Sequence, residues 1–183
     1  MRVLFPLLIT ALVLASCDSK KPKKNVSEPK PFAIAGAKQQ AVQSFPDGKV
    51  KTAIYIDSAT QKKVAEVEFH GNGQPKIHKR FVNDTLQGES WCYYENGGPW
   101  SLNTFENGQN QGPYKTWHEN GQLYVQGQFQ RGQKTGEWFT YFANGQLNTR
   151  GSYKNDEKVG VWNSYSLEGT MKREQNFGDG KPE

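Results

Sequence analysis

The chain has 183 residues, a hydrophobic fraction of 34% and a net charge of +5. That apolar content is low beside the roughly 45–50% of ordinary globular domains, a count that includes glycine, and it excludes a thick core. Aromatic residues still make up 13% of the chain and glycine occurs 19 times, which suits a thin sheet joined by turns and excludes a polar disordered tract.

The charge is unevenly placed. Residues 18–40 carry Lys20, Lys21, Lys23, Lys24, Lys30 and Lys38 against Asp18 and Glu28, whereas 41–183 holds as many acidic as basic residues. A nucleic-acid binder places its positive charge on the folded face. No nucleic-acid partner is therefore expected.

In chain order, Met1 to Cys17 has one charge at Arg2, an apolar run from Val3 to Ala15, and small residues before the cysteine. The run is shorter than the roughly 17–25 apolar residues of a spanning helix, so residues 1–16 are predicted to be an export signal. Leu14-Ala15-Ser16-Cys17 resembles the lipobox of bacterial lipoproteins. That resemblance implies cleavage before Cys17, lipidation of its sulfur and an acylated amine. Several acyl chains, palmitate among them, meet the requirement for stable anchoring, so the expected address is the inner or outer membrane of a bacterial envelope. From Cys17 to Ser44, three prolines (Pro22, Pro29, Pro31) and the lysines predict an irregular basic tether.

The repeat domain is predicted over 45–183. Phe45-Pro46-Asp47-Gly48 opens it as a degenerate turn, and His70-Gly71-Asn72-Gly73 follows 25 residues on. Three gapless copies then run from Glu89 to Gly160. Asn96-Gly97, Asn120-Gly121 and Asn144-Gly145 stand 24 apart, as do Gly88, Gly112, Gly136 and Gly160, and as do Phe81, Phe105, Phe129, Tyr153 and Phe177. A fixed period of this size marks a repeat architecture. Asn-Gly between apolar runs predicts a type I′ hairpin, and the loop beginning at Arg131-Gly132 reads as a longer second turn, giving two strands per repeat.

On the return strand of the copy at 113–136, strict alternation puts Leu123, Val125, Gly127 and Phe129 on one face and Tyr124, Gln126, Gln128 and Gln130 on the other. Gly127 and Gly151 read as places where a neighbouring ring lies over the strand. No stretch of 45–183 has helical periodicity, so any cover for the sheet must come from its curvature or from a partner.

The unit Gly136 to Leu147, with Gly151, Tyr153, Asp156 and Gly160 after it, resembles the MORN repeat variant found in YwqK-family antitoxins. The resemblance spans about 66–180 and more weakly 45–65. It implies an all-β fold, an elongated antiparallel meander of hairpins with a 24-residue period. The copy at 65–88 departs from it by lacking a ring at its strand start, and the last copy has Glu168-Gly169 in place of Asn-Gly.

No catalytic residue, metal site or cofactor is expected. Cys92 shares a small-residue column with Thr116, Thr140 and Ser164; His70 and His118 stand in the ring column of Tyr94 and Phe142; Glu95 and Glu119 are replaced by Gly71, Ala143 and Leu167 in other copies. The leading functional reading is a non-enzymatic, lipid-anchored envelope protein that presents a β-repeat surface to a protein partner. A second reading, from the resemblance, is an antitoxin or immunity protein acting on an envelope toxin. A third is a glycan or peptidoglycan platform, since Tyr93-Tyr94-Glu95-Asn96-Gly97 is loosely similar to aromatic-glycine cell-wall-binding repeats. Asn96, Gly97, Asn120, Gly121, Asn144 and Gly145 are assigned to turn structure. Binding is assigned to Trp100, Tyr124 and Asn148, which vary between copies, and to Trp117 and Tyr141.

Overall fold

The computed structural model describes residues 34–179; Cys17, the export signal expected at 1–16 and the first part of the expected tether lie outside them. Fourteen strands follow one another: β1 (Ala37–Ser44), β2 (Val50–Asp57), β3 (Lys63–Phe69), β4 (Pro75–Val82), β5 (Thr85–Leu86), β6 (Gly88–Tyr93), β7 (Pro99–Glu106), β8 (Gln109–Asn110), β9 (Gly112–Trp117), β10 (Leu123–Gln130), β11 (Gln133–Tyr141), β12 (Leu147–Lys154), β13 (Glu157–Tyr165) and β14 (Met171–Asn176). All join one antiparallel sheet in sequence order, with β5 and β8 as short arms pairing β4 and β7. The path runs open from β1 to β14. The described residues contain no helix, and the all-β hairpin meander accounts for their fold.

The sheet begins earlier than the composition indicates. β1 lies inside the stretch 17–44 assigned to the tether, with Ala37 opposite Asp57 and Ser44 opposite Val50. Its sequence is polar, but β2 carries Ile54, Tyr55 and Ile56 and would otherwise end the sheet with open backbone groups. A short polar strand supplies those hydrogen bonds without needing an apolar face.

The two turn types are exchanged relative to the sequence expectation. At Asn120-Gly121, Gly121 N–H donates to His118 O at 2.8 Å, and His118 N–H to Gln122 O at 2.8 Å. Only Gly121 has positive φ, +81°, and Asn120 does not. This is the three-residue loop in which a type I turn precedes a left-handed residue. Glu119 sits at its first central position, which tolerates most residues; Pro46, Gly71, Glu95, Ala143 and Leu167 fill the same place. The type I′ turns lie at the opposite edge. Arg131-Gly132, closed by Gln130 opposite Gln133, has φ of 51° and 81°, and Asn83-Asp84, Asn107-Gly108 and Asn155-Asp156 have positive φ at both positions too. The second loop is thus the tighter of the two. The extra residues form a bulge in the strand that follows, at Gly136 or Gly160, each with positive φ, where Gly127 or Gly151 faces three residues of the next strand.

Among the described residues the sheet has no second layer, and its best-buried apolar groups change sides along it. Ala53, Val67, His78, Trp91 and Leu102 form one cross-strand row on one face, and Ala53 and Val67 are fully buried. The same row continues as Lys115, Gln126, Phe139, Arg150, Asn163 and Glu174. Beyond β9 the burial moves to the other face, where Trp138 and Phe177 are buried. There Trp138 lies over Gly127 and Trp162 over Gly151, and a β-carbon on either glycine would fall inside the indole.

Gly121→Val is expected to destabilise the fold by about 1–3 kcal/mol through strain at positive φ, while Glu119→Ala leaves the midpoint of thermal unfolding nearly unchanged. Equal effects would contradict the turn register. Gly127→Ala should cost a further, separable ~1–3 kcal/mol from overpacking against Trp138, measured by urea denaturation.

Candidate interaction surface

The turn edge carries a row of β-bulges. Cys92 pairs Ser101 and Tyr93 pairs Pro99, which leaves Trp100 unpaired. In the same way Tyr124 is passed over between Leu123 and Val125, and Asn148 between Leu147 and Thr149. Lys76 and Lys172 hold the equivalent places in the flanking hairpins. A bulge re-aims its side chain away from the regular alternation. Trp100 is 52% exposed and Tyr124 46% exposed, whereas Asn148 is half-buried. Each ring leans on the turn behind it, Trp100 on Tyr94 with centroids 6.5 Å apart and Tyr124 on His118 at 4.6 Å.

Behind this row the repeats are stapled by side chains that reach one copy forward. His70 Nε2 is 3.0 Å from Tyr93 O, Tyr94 OH donates to Trp117 O at 2.7 Å, and His118 Nε2 is 2.9 Å from Tyr141 O. The histidines are therefore hydrogen-bonding members of their column and not only substitutes for rings. Asn72 and Asn120 do the same with Nδ2, donating to Glu95 O at 2.8 Å and Ala143 O at 2.7 Å. The Oδ1 of each accepts an N–H of its own turn, from Gln74 at 2.9 Å and Gln122 at 2.9 Å. An asparagine here both closes its turn and ties down the next one, which explains the residue type better than backbone conformation does.

Trp117 and Tyr141 stand in a different row. Trp117 stacks on Trp91 with centroids 5.8 Å apart and planes at 20°, and Trp91 stacks on Tyr93 at 6.3 Å and 13°. Tyr141 OH accepts a hydrogen bond from Gln126 Nε2 at 3.2 Å. Phe69, Tyr93, Trp117, Tyr141 and Tyr165 occur at a constant step of 24, a five-entry aromatic column that sequence reasoning passed over although its spacing was available. Burial, with Cys92 and Glu89 nearby, raises the Tyr93 hydroxyl well above the usual phenol range.

The opposite face of the C-terminal half holds an edge-to-face ladder. Phe129 meets Trp138 at 5.3 Å, Trp138 meets Tyr153 at 5.6 Å, and Tyr153 meets Trp162 at 5.0 Å, with interplanar angles of 86°, 78° and 81°. Lys134 Nζ lies 5.0 Å from the centroids of both Trp138 and Tyr153, and Lys158 Nζ 4.4 Å from Trp162. With Thr140 and Thr149, whose hydroxyls are 2.7 Å apart, these side chains bound a cleft of about 410 Å³. The two lysines stand 24 apart, a signal that sequence reasoning did not use. Cys92, half-buried, lies between Ile77 and Ser101 in the row of small side chains on this face.

Residues 110–131 and 134–155 match the MORN repeat variant. They carry Tyr124, the ladder rings Phe129, Trp138 and Tyr153, and Lys134, and the turns from Asn72-Gly73 to Glu168-Gly169 keep the same 24-residue step. No curated protein matches. Among solved structures, a substituted form of S. aureus TarM in complex with fondaparinux, alpha-GlcNAc-glycerol and UDP is 10% identical, over 68% of this chain and 21% of that chain, with a TM-score of 0.28. A second TarM structure is 11% identical over 67% and 22%, with a TM-score of 0.26. The chain spans about a fifth of the length of these proteins, and similarity this weak carries no argument.

His78, 3% exposed in the row beside Trp91, has its pKa lowered to about 4, by burial first and by the Arg80 charge second. The folded state therefore refuses a proton that the unfolded chain accepts, and stability falls as the pH drops from about 6.5 towards about 4. Denaturant titrations of the parent and His78→Phe across that window should show a smaller loss in the variant.

Proposed function

We propose that this chain is a non-catalytic scaffold that binds a protein partner along its Asn-Gly turn edge. MORN repeats in general are modules for interaction with proteins or membranes, and two hairpins here match that model. The observation that carries the reading is the exposure of Trp100 and Tyr124 on successive bulges, at 52% and 46%. A sheet under pressure only to fold would turn such rings inward; aromatic side chains presented on a rigid frame are the groups most enriched at interfaces. The staples behind them hold the row at a fixed spacing, so its rigidity costs little on binding.

Cys17 places the scaffold in this proposal. With its lipidated cysteine and basic tether the protein is held at an envelope membrane, and the turn edge faces partners there. Neutralisation of an envelope-acting toxin is one form of the same interaction. A glycan platform is less well supported, because the ladder rings meet edge to face beneath lysines and Trp138 is only 5% exposed.

A photo-crosslinking residue at position 124 in the full chain, expressed in its own cells, is expected to capture a discrete protein, with the yield lowered by Trp100→Ala. Cys17→Ser should abolish palmitate labelling and release the protein from membranes. Absence of any adduct from position 124, or crosslinks from exposed Glu174 just as frequent as those from position 124, would sink the interaction reading.

A further inference from the structure

The ladder face carries charge in the wrong place for a purely structural surface. Lys134 and Lys158 occupy the same position in consecutive repeats, each opposite a ladder ring across a tight turn, Phe129 with Lys134 and Tyr153 with Lys158. Among the described residues no carboxylate forms an ion pair with either ammonium. The acid at the mouth, Asp156, accepts the backbone N–H of Lys134 at 2.8 Å through Oδ1. Each ammonium instead lies against rings, beside a cleft also lined by Val125, Thr140 and Thr149. This arrangement places a cation against the ladder rings in each of two consecutive repeats.

Spacing narrows what fits. Neighbouring strands lie about 4.8 Å apart, so two strands per repeat put equivalent side chains ~9.6 Å apart along the sheet. A polyproline II helix has three residues per turn at ~3.1 Å each, so every third side chain returns to the same side after ~9.3 Å. A β-strand laid across the sheet shows the same side every second residue, after ~6.7 Å, and loses phase with the lysines at once. Aromatic-lined grooves are the usual seats of such proline-rich helices.

We infer that the ladder face binds an acidic, proline-rich segment of a protein partner in the polyproline II conformation, with carboxylates three residues apart meeting Lys134 and Lys158. The inference rests on the protein-binding reading above and names the partner's chemistry on a second face. The chain's own Pro-containing tether is excluded as the occupant by charge, since Lys20, Lys21, Lys23 and Lys24 would face these lysines.

The test is fluorescence anisotropy with the full chain and a labelled peptide of Glu-Pro-Pro repeats. Controls are an isomer of the same composition with its glutamates clustered at one end, and a Lys-Pro-Pro peptide. Binding should favour the regular acidic peptide, weaken with salt, fall about threefold with Lys134→Gln or Lys158→Gln, and fall about tenfold or more with the double charge reversal K134E/K158E. Thermal unfolding of each variant shows whether the fold is retained, and Lys158→Arg should keep affinity where Lys158→Gln loses it. Equal affinity for the clustered isomer or the lysine peptide would overturn the proposal. So would lysine-dependent binding of phosphatidylglycerol vesicles without peptide binding, since the cations would then serve a lipid surface. If position 124 still captures a protein while the peptides fail, this inference alone falls.

Discussion

A single-layer sheet has no partner layer on which to bury an apolar face, and the rest of this structure follows from that constraint. Isolated hairpins are marginal in water, so stability must come from contacts between successive copies, as in other linear repeats. The chain makes those contacts in two ways. Rings fill the space left by strand glycines, as Trp138 does over Gly127. Polar side chains at both edges bond one copy forward, as Asn120 does to Ala143 O and as Gln111 does in accepting the N–H of Arg131.

The same constraint explains why the buried side can change over. Where two layers meet, one face of a sheet must stay apolar throughout; here each face is covered only by its own large side chains. The row through Val67, Trp91 and Leu102 is apolar in the first half of the sheet, and the ladder through Trp138 and Trp162 serves the second half. Either half leaves an outward surface of different chemistry. The turn edge offers separate exposed rings, and the ladder face offers lysines above a cleft.

The turn asparagines show how structure and recognition are coupled. By closing its own loop and tying the next, Asn120 fixes the place where the strand resumes, and with it the bulge that turns Tyr124 outward. The candidate partner-binding ring is thus set by hydrogen bonds of the repeat itself. What differs between copies at that bulge, from Trp100 to Tyr124 to Asn148, is free to change without loosening the frame.

By itself the sequence determined the repeat, its 24-residue step, the two strands in each copy and the open all-β meander, because hairpins are local and their turn residues recur in register. It also singled out Trp100 and Tyr124 as outward-facing, but by an alternation that does not hold there: each sits on a bulge, and the one at Tyr124 sets Leu123 opposite Trp117 and off the face of Val125. Only the tertiary structure decided which turn is of which type, because Asn-Gly suits both loops and the choice depends on where the pairing restarts. It likewise decided that Ala37–Ser44 is a strand, that His70 and His118 are staples and that Lys134 and Lys158 lie over one ladder. Each of these depends on what the neighbouring copy places alongside, and that neighbour is about two dozen residues away in the chain.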